Sequence, residues 1–110
     1  MSIEKKYMKC FPDLPLIEAA KLLIGVGKRN LIIINDNNKM LGTISSSDIL
    51  KYIIYNNDYL ESTVSEVMVK DFYFVRESAS KEEIINIFKS KNINYIPVLD
   101  DEHILKDIIL

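Results

Sequence analysis

Leu31-Ile32-Ile33-Ile34-Asn35 returns 65 residues further on as Ile96-Pro97-Val98-Leu99-Asp100, each time an unbroken apolar run closed by a turn-forming side chain. The same shift of 65 lays the two halves of the chain on each other without a gap. Glu18 falls on Glu83, and Ala19, Ala20, Leu22 and Leu23 fall on Ile84, Ile85, Ile87 and Phe88. Upstream, Tyr7 falls on Phe72 and Cys10 on Val75. Few residues are identical, but the order of residue types persists, which is the mark of an internal repeat. Units of roughly 50 residues are too small to bury separate cores, so the halves are expected to share one.

Each half reads as the same series of elements. A short strand opens it, Tyr7–Cys10 and Phe72–Val75. A helix follows, with Leu16, Ala19, Ala20 and Leu23 at helical spacing in the first half and Pro15 at its tolerant first turn. In the second half Ser80 and Glu83 predict a capping box, and Ile84, Ile87 and Phe88 an apolar face. Two strands come next, Leu31–Ile34 and Met40–Ser45, joined by Asn35-Asp36-Asn37-Asn38-Lys39; their counterparts are Tyr95–Leu99 and Ile104–Leu110. Continuous apolar runs suit strands covered on both faces. The first half adds a helix over Ser47–Tyr55, with Ser46 or Ser47 as its cap, and Asn56–Glu66 reads as a polar connection. The expected fold class is α+β: two βαββα repeats packed as a pair, residues 1–58 and 59–110, the second lacking its last helix.

The 110 residues include 48% hydrophobic and 27% charged side chains, a globular balance. Fourteen basic against sixteen acidic residues leave a net charge of −2, which argues against nucleic acid as a partner. Apolar runs of four or five residues are too short for a membrane span or a signal peptide, and Cys10 has no partner for a disulfide, so a cytoplasmic, reduced setting is expected. With one His, one Cys and three Gly the chain is poorly equipped for metal or nucleophilic catalysis, and no cofactor or enzyme activity of its own is expected. Gly25-Val26-Gly27-Lys28 does not make a phosphate-binding P-loop, because Leu22 and Arg29 stand where that motif needs Gly and Ser or Thr. His103 reads as a surface residue, Cys10 as a small core residue, and Tyr52, Tyr55 and Tyr59 around a helix end as core contacts first and the cover of an interface second.

Four stretches together carry a family resemblance: Leu16-Ile17-Glu18-Ala19-Ala20; Ile33 to Asp48 with its turn, Gly42, Thr43 and Ser45; Val64-Ser65-Glu66-Val67-Met68; and Tyr95-Ile96-Pro97-Val98-Leu99-Asp100. In this order the chain resembles the CBS domains, which occur as tandem pairs called Bateman modules. The N-terminal CBS pair of sugar-phosphate nucleotidyltransferases is the particular likeness. The resemblance implies a regulatory module that binds AMP, ADP, ATP or S-adenosylmethionine and controls an attached enzyme. The alternative it leaves is a structural pair that mediates dimerisation or positions its parent without ligand.

Carried over residue by residue, the resemblance assigns ribose and phosphate contacts to Ser45 and Asp48 and a place near the base to Ile32. It leaves Lys28 and Arg29 to meet phosphate charge. Ser45 to Asp48 also lies where a strand turns into a helix, whose N-terminus favours anions. The second repeat departs from the pattern: Asp107 stands for Gly42, Leu110 for Ser45, and nothing for Asp48. At most one competent site, a chain cut from a longer protein with a catalytic domain beyond Leu110, and a homodimer formed through the apolar surface that the missing helix leaves are the resulting expectations.

Overall fold

Strand β1 (Lys9–Cys10) pairs parallel with β2 (Asn30–Ile34), and β2 pairs antiparallel with β3 (Met40–Ser45). Helix α1 (Leu16–Val26) makes the crossover, and α2 (Ser46–Tyr55) follows β3. The second half repeats the arrangement with β4 (Val75–Arg76), α4 (Lys81–Lys91), β5 (Ile96–Leu99) and β6 (Leu105–Ile109). Between the halves lie a 3-10 turn over Tyr59–Glu61 and the short α3 (Val64–Val67). This computed structural model describes residues 8–26 and 30–110.

The repeat extends to the register of the sheets. Ile33 faces Gly42 and Val98 faces Asp107, each pair shifted by 65 from the other, and both hairpins slip register at the next residue. Their turns are built alike. The Asn35 side-chain oxygen accepts from the N–H groups of Asn37 and Lys39, at 2.9 and 3.0 Å. The Asp100 carboxylate accepts from Glu102 and Ile104, also at 2.9 and 3.0 Å. Both turns end on a left-handed residue, Asn38 (φ 63°) and His103 (φ 68°), types that tolerate that conformation better than most.

The core has two layers. On the helix side of the first sheet, Leu16, Ala19 and Leu23 of α1 pack with Leu31, Ile33, Ile44, Ile49 and Val64. Between the sheets, Ile32, Ile34 and Met40 meet Leu99, Leu105 and Ile108, with Phe72, Phe74 and Tyr95 around them. Alternate residues of β2 therefore serve opposite layers, and all four of Leu31 to Ile34 are buried, as a strand covered on both faces requires. The sheets share the inter-sheet layer, which makes the two halves one unit.

Several sequence expectations are corrected in detail. Helix α2 is capped by Ser45, not Ser46 or Ser47. The Ser80 hydroxyl accepts from Glu83 N at 3.1 Å, which is one half of the expected capping box. The second opening strand lies at Val75–Arg76, and of the first only Lys9–Cys10 is strand, with Tyr7 outside the described residues. Asn56–Glu66 is no solvated spacer. Val64 is fully buried, Ser62 bonds to the Tyr52 hydroxyl at 2.9 Å, and Leu16 N and Val64 N bond to Ser62 O and Leu14 O, each at 2.9 Å. A single buried valine has no periodicity, so the sequence pattern could not show it. Of the three tyrosines, Tyr52 and Tyr59 are half-buried, whereas Tyr55 is 83% exposed. His103 is half-buried too, its ring edge against Phe74 (centroids 5.1 Å apart) and its Nδ1 3.3 Å from Arg76 Nη1.

Candidate functional site

After α2 the chain returns along the free edge of β3, and this return builds the site. Thr43 and Val69 exchange both backbone hydrogen bonds, Thr43 N to Val69 O at 3.0 Å and Val69 N to Thr43 O at 2.7 Å. Gly42 permits the approach, since a Cβ there would stand 2.8 Å from the Val69 carbonyl oxygen and 3.1 Å from Met68 Sδ. From Val69 the chain runs through Asp71, Phe72 and Tyr73 into the second repeat. Facing this segment is the turn Asn92-Ile93-Asn94-Tyr95, which leaves α4 through the left-handed Asn92 (φ 50°), a common helix ending.

These pieces enclose a cleft of about 530 Å³ together with Asn30 at the start of β2. That volume lies within the range of small-molecule pockets. Asn30, Thr43, Asn92 and Asn94 offer neutral hydrogen-bonding groups, Phe72, Tyr73 and Tyr95 aromatic surface, and Asp71 a carboxylate. Lys91 stands beside the cleft with Nζ 5.5 Å from the centre of the Tyr73 ring, a cation–π contact.

The site residues named from the sequence divide into three groups. Ser45 and Asp48 are brought together at the start of α2 in a reciprocal capping box. The Ser45 hydroxyl accepts from Asp48 N at 3.1 Å, and the Asp48 carboxylate accepts from Ser45 N at 2.9 Å. Ile32 is fully buried in the inter-sheet layer, and its N–H donates to Met8 O at 3.0 Å. Lys28 and Arg29 lie outside the described residues. The residues around the described cleft were not singled out from the sequence, yet a signal for them existed. Shifting Lys28 and Arg29 by 65 gives Ile93 and Asn94, both in its wall. The resemblance was carried onto the first repeat alone, where the hydroxyl and carboxylate of the motif are present.

Among the described residues no group of three or more His, Cys, Asp or Glu could hold a metal ion, and no helix is long and apolar enough to cross a membrane. Among the described residues two titratable groups are displaced. Burial pushes the Cys10 thiol up to about 11. Asp100 is held below the usual carboxylate range, chiefly by the hydrogen bond from Ile104 N, helped by that from Glu102 and by the charges of Lys106 and Arg76.

Two βαββα-type repeats joined through a shared inter-sheet core, with a cleft between them, define the class of this protein. The chain belongs to the CBS domain family, whose profile matches residues 3–55 and 64–109. It is 27% identical over 99 residues to L-aspartate semialdehyde sulfurtransferase of Methanocaldococcus jannaschii, which covers 90% of this chain and 19% of that protein. It is 31% identical over 100 residues to inosine-5'-monophosphate dehydrogenase of Haemophilus influenzae, covering 89% of this chain and 20% of that one. The chain thus spans about a fifth of these relatives. Among solved structures, protein MJ1225 of Methanocaldococcus jannaschii superposes with a TM-score of 0.82 at 25% identity, over 94% of this chain and 42% of that one. The CBS domain pair of protein MJ0100, in complex with 5'-methylthioadenosine and S-adenosyl-L-methionine, gives 0.73 at 26% identity, over 94% of this chain and 80% of that one.

Proposed function

We propose that this CBS pair is a regulatory module that binds an adenosine-containing ligand between its repeats and controls an attached enzyme. The observation that carries the reading is the cleft of about 530 Å³ between the β3 edge, the inter-repeat segment and the α4–β5 turn, lined by amides and aromatic rings. Aromatic faces stack on a purine, and amides and hydroxyls can match its edge and the ribose hydroxyls. The pair of MJ0100, a relative in fold at 26% identity, holds adenosyl ligands. The enzymes among its relatives, much longer than this chain, support an attached catalytic partner. The finer expectation of a sugar-phosphate nucleotidyltransferase rests on the sequence resemblance alone. A cytoplasmic setting belongs to the same proposal.

A panel of AMP, ADP, ATP and S-adenosylmethionine read by thermal melting tests it. Ligand at a hundred times its dissociation constant adds about 2.7 kcal/mol, which in a domain of this size raises Tm by roughly ten degrees or more. If all four leave the melt unmoved at millimolar concentration, the second reading, a structural pair without ligand, takes its place. One observation favours that alternative: the Ser45 hydroxyl and the Asp48 carboxylate already hydrogen-bond each other's backbone.

The proposed module is a homodimer. Leu50, Ile54 and Tyr55 of α2 are exposed, as are Ile24 of the neighbouring α1 and Leu60. Residues 50 and 54 share one helix face. Light scattering that shows a monomer at tens of micromolar contradicts this part of the proposal. An Ile54→Glu variant should dissociate the dimer without unfolding the chain, because Ile54 is 65% exposed.

A further inference from the structure

We infer that the far end of the first repeat's sheet takes a guanidinium cation, the head group of arginine. The place is separate from the cleft between the repeats and shares no described residue with it. The second repeat supplies the template. There Arg76, at the end of β4, donates from Nη1 to the Asp100 carbonyl oxygen. Its Cζ stands 4.9 Å from the centre of the Phe74 ring, and Nη1 lies 3.3 Å from His103 Nδ1. The same carbonyl accepts from His103 N at 3.0 Å, so both of its lone pairs are used.

In the first repeat Asn35 holds the place of Asp100, and Asn35 O accepts from Asn38 N at the same 3.0 Å. The place of Arg76 is held by Phe11, whose side chain has no donor to give that carbonyl. Beside it lies a cleft of about 370 Å³, with Phe11, Pro12 and Asp13 in one wall and Asn35 and Asp36 in the other. β1 and β2 run parallel, and the cleft lies where both end. It offers a carbonyl acceptor, a half-exposed aromatic ring and two carboxylates that the described residues pair with no cation. A guanidinium meets all three. Its planar fork of N–H donors fits carboxylate and carbonyl oxygens, and its face stacks on a ring. An ammonium meets the carboxylates as a point charge and lacks the fork.

Titration of the ¹⁵N-labelled chain with agmatine, L-arginine, N-acetyl-arginine methylamide, putrescine and citrulline tests this, read at the backbone amides of Asp13, Asn35 and Asp36. The three guanidinium compounds should shift them at concentrations about fivefold or more below putrescine. Citrulline, arginine's shape with an uncharged head, should leave them unmoved. The amides of Asp100 and Asp101 should stay still, since Arg76 already serves that turn. A lower concentration for the methylamide assigns the cation to an arginine side chain of a partner chain, and a lower one for agmatine or L-arginine to a free small molecule. Asp36→Asn should weaken the response by about twofold to fivefold. Phe11→Arg, a change at an exposed side chain, should melt within a few degrees of the native chain and abolish the response, because the chain then supplies the guanidinium itself. Equal shifts with citrulline or putrescine, undiminished shifts in Phe11→Arg, or still amides with all five compounds at roughly tens of millimolar overturn the inference. The response to adenosine ligands at the cleft between the repeats is untouched by any of these results.

Discussion

Asn38 and His103, 65 residues apart, hold the same left-handed position in two hairpins, and each lends its carbonyl to the strand that follows the other. Asn38 O accepts from Leu105 N at 2.9 Å, and His103 O accepts from Met40 N at 3.0 Å. The Asn38 side-chain amide adds a bond to Leu105 O at 2.8 Å. The two halves are therefore joined by backbone hydrogen bonds as well as by the apolar layer beneath them. Positive φ at these two residues is what turns the carbonyls outward from their own hairpins.

The junction predicts a clear order of substitutions at His103. A β-branched residue in the left-handed region costs roughly 1–2 kcal/mol, so His103→Val should lose about that much stability in urea unfolding. His103→Gly, free of the backbone cost, should lose less than half as much. A glycine variant as unstable as the valine one would show that the Phe74 and Arg76 contacts, not the backbone, set the requirement.

At Gly42 the requirement is space. The added methyl of Gly42→Ala meets the Val69 carbonyl oxygen, a backbone atom of a residue that exchanges two hydrogen bonds with Thr43, and cannot be relieved by a rotamer change. We expect a loss of about 1–3 kcal/mol, typical of overpacking, measured as a lower urea midpoint. Since Thr43 and Val69 both line the cleft, ligand affinity should fall with it.

Asp48 separates capping from ligand binding by the choice of substitution. Asp48→Ala removes the acceptor for Ser45 N and should cost about 0.5–2 kcal/mol. Asp48→Asn keeps an acceptor and should melt within a few degrees of the native chain. If the carboxylate also holds a ribose, the Asn variant should still bind adenosine ligands about tenfold more weakly, because charge-assisted bonds are the stronger ones. Unchanged affinity in that variant confines Asp48 to its capping role.

Cys10 should be slow to react. With its thiol raised from the ordinary 9.0 to about 11, the native chain at pH 8 holds roughly a hundredfold less thiolate than the unfolded one. Iodoacetamide labelling at pH 8 should be slower in the native state by about that factor. The sign of the linkage follows: the stability tied to the neutral thiol is intact below pH 9.0 and is lost as pH rises toward about 11. Cys10→Ala should flatten that alkaline decline.

Asp100 gives the opposite sign. Its carboxyl is held low by the N–H groups of Ile104 and Glu102, so its contribution is present above the ordinary carboxylate range and is lost as pH falls through its lowered value. Asp100→Asn should weaken the acid dependence of unfolding below pH 4 relative to the native chain, read by circular dichroism.

The repeat and the order of its strands and long helices were legible in the amino-acid sequence because they rest on periodicity and local chemistry, and the family through the resemblance of four stretches, whereas the short elements between the halves were not. Apolar runs bounded by Asn or Asp mark β2 and β5, and the spacing of Leu16, Ala19 and Leu23 marks α1. The shift of 65 residues survives into the hairpin register and both turns. Ser45 and Asp48 were paired only as ligand contacts implied by the family resemblance; the capping box they form escaped the sequence because three consecutive serines offer the same local chemistry. Other features depend on residues far apart in the chain. The burial of Val64, the close approach of Val69 to Gly42, and the meeting of Asp71, Thr43 and Asn94 around one cleft are set by how the two sheets stack. No local pattern records that stacking. It is fixed by the inter-sheet layer of Ile32, Ile34 and Met40 with Leu99, Leu105 and Ile108, and by the exchange of hydrogen bonds between the Asn38 and His103 turns.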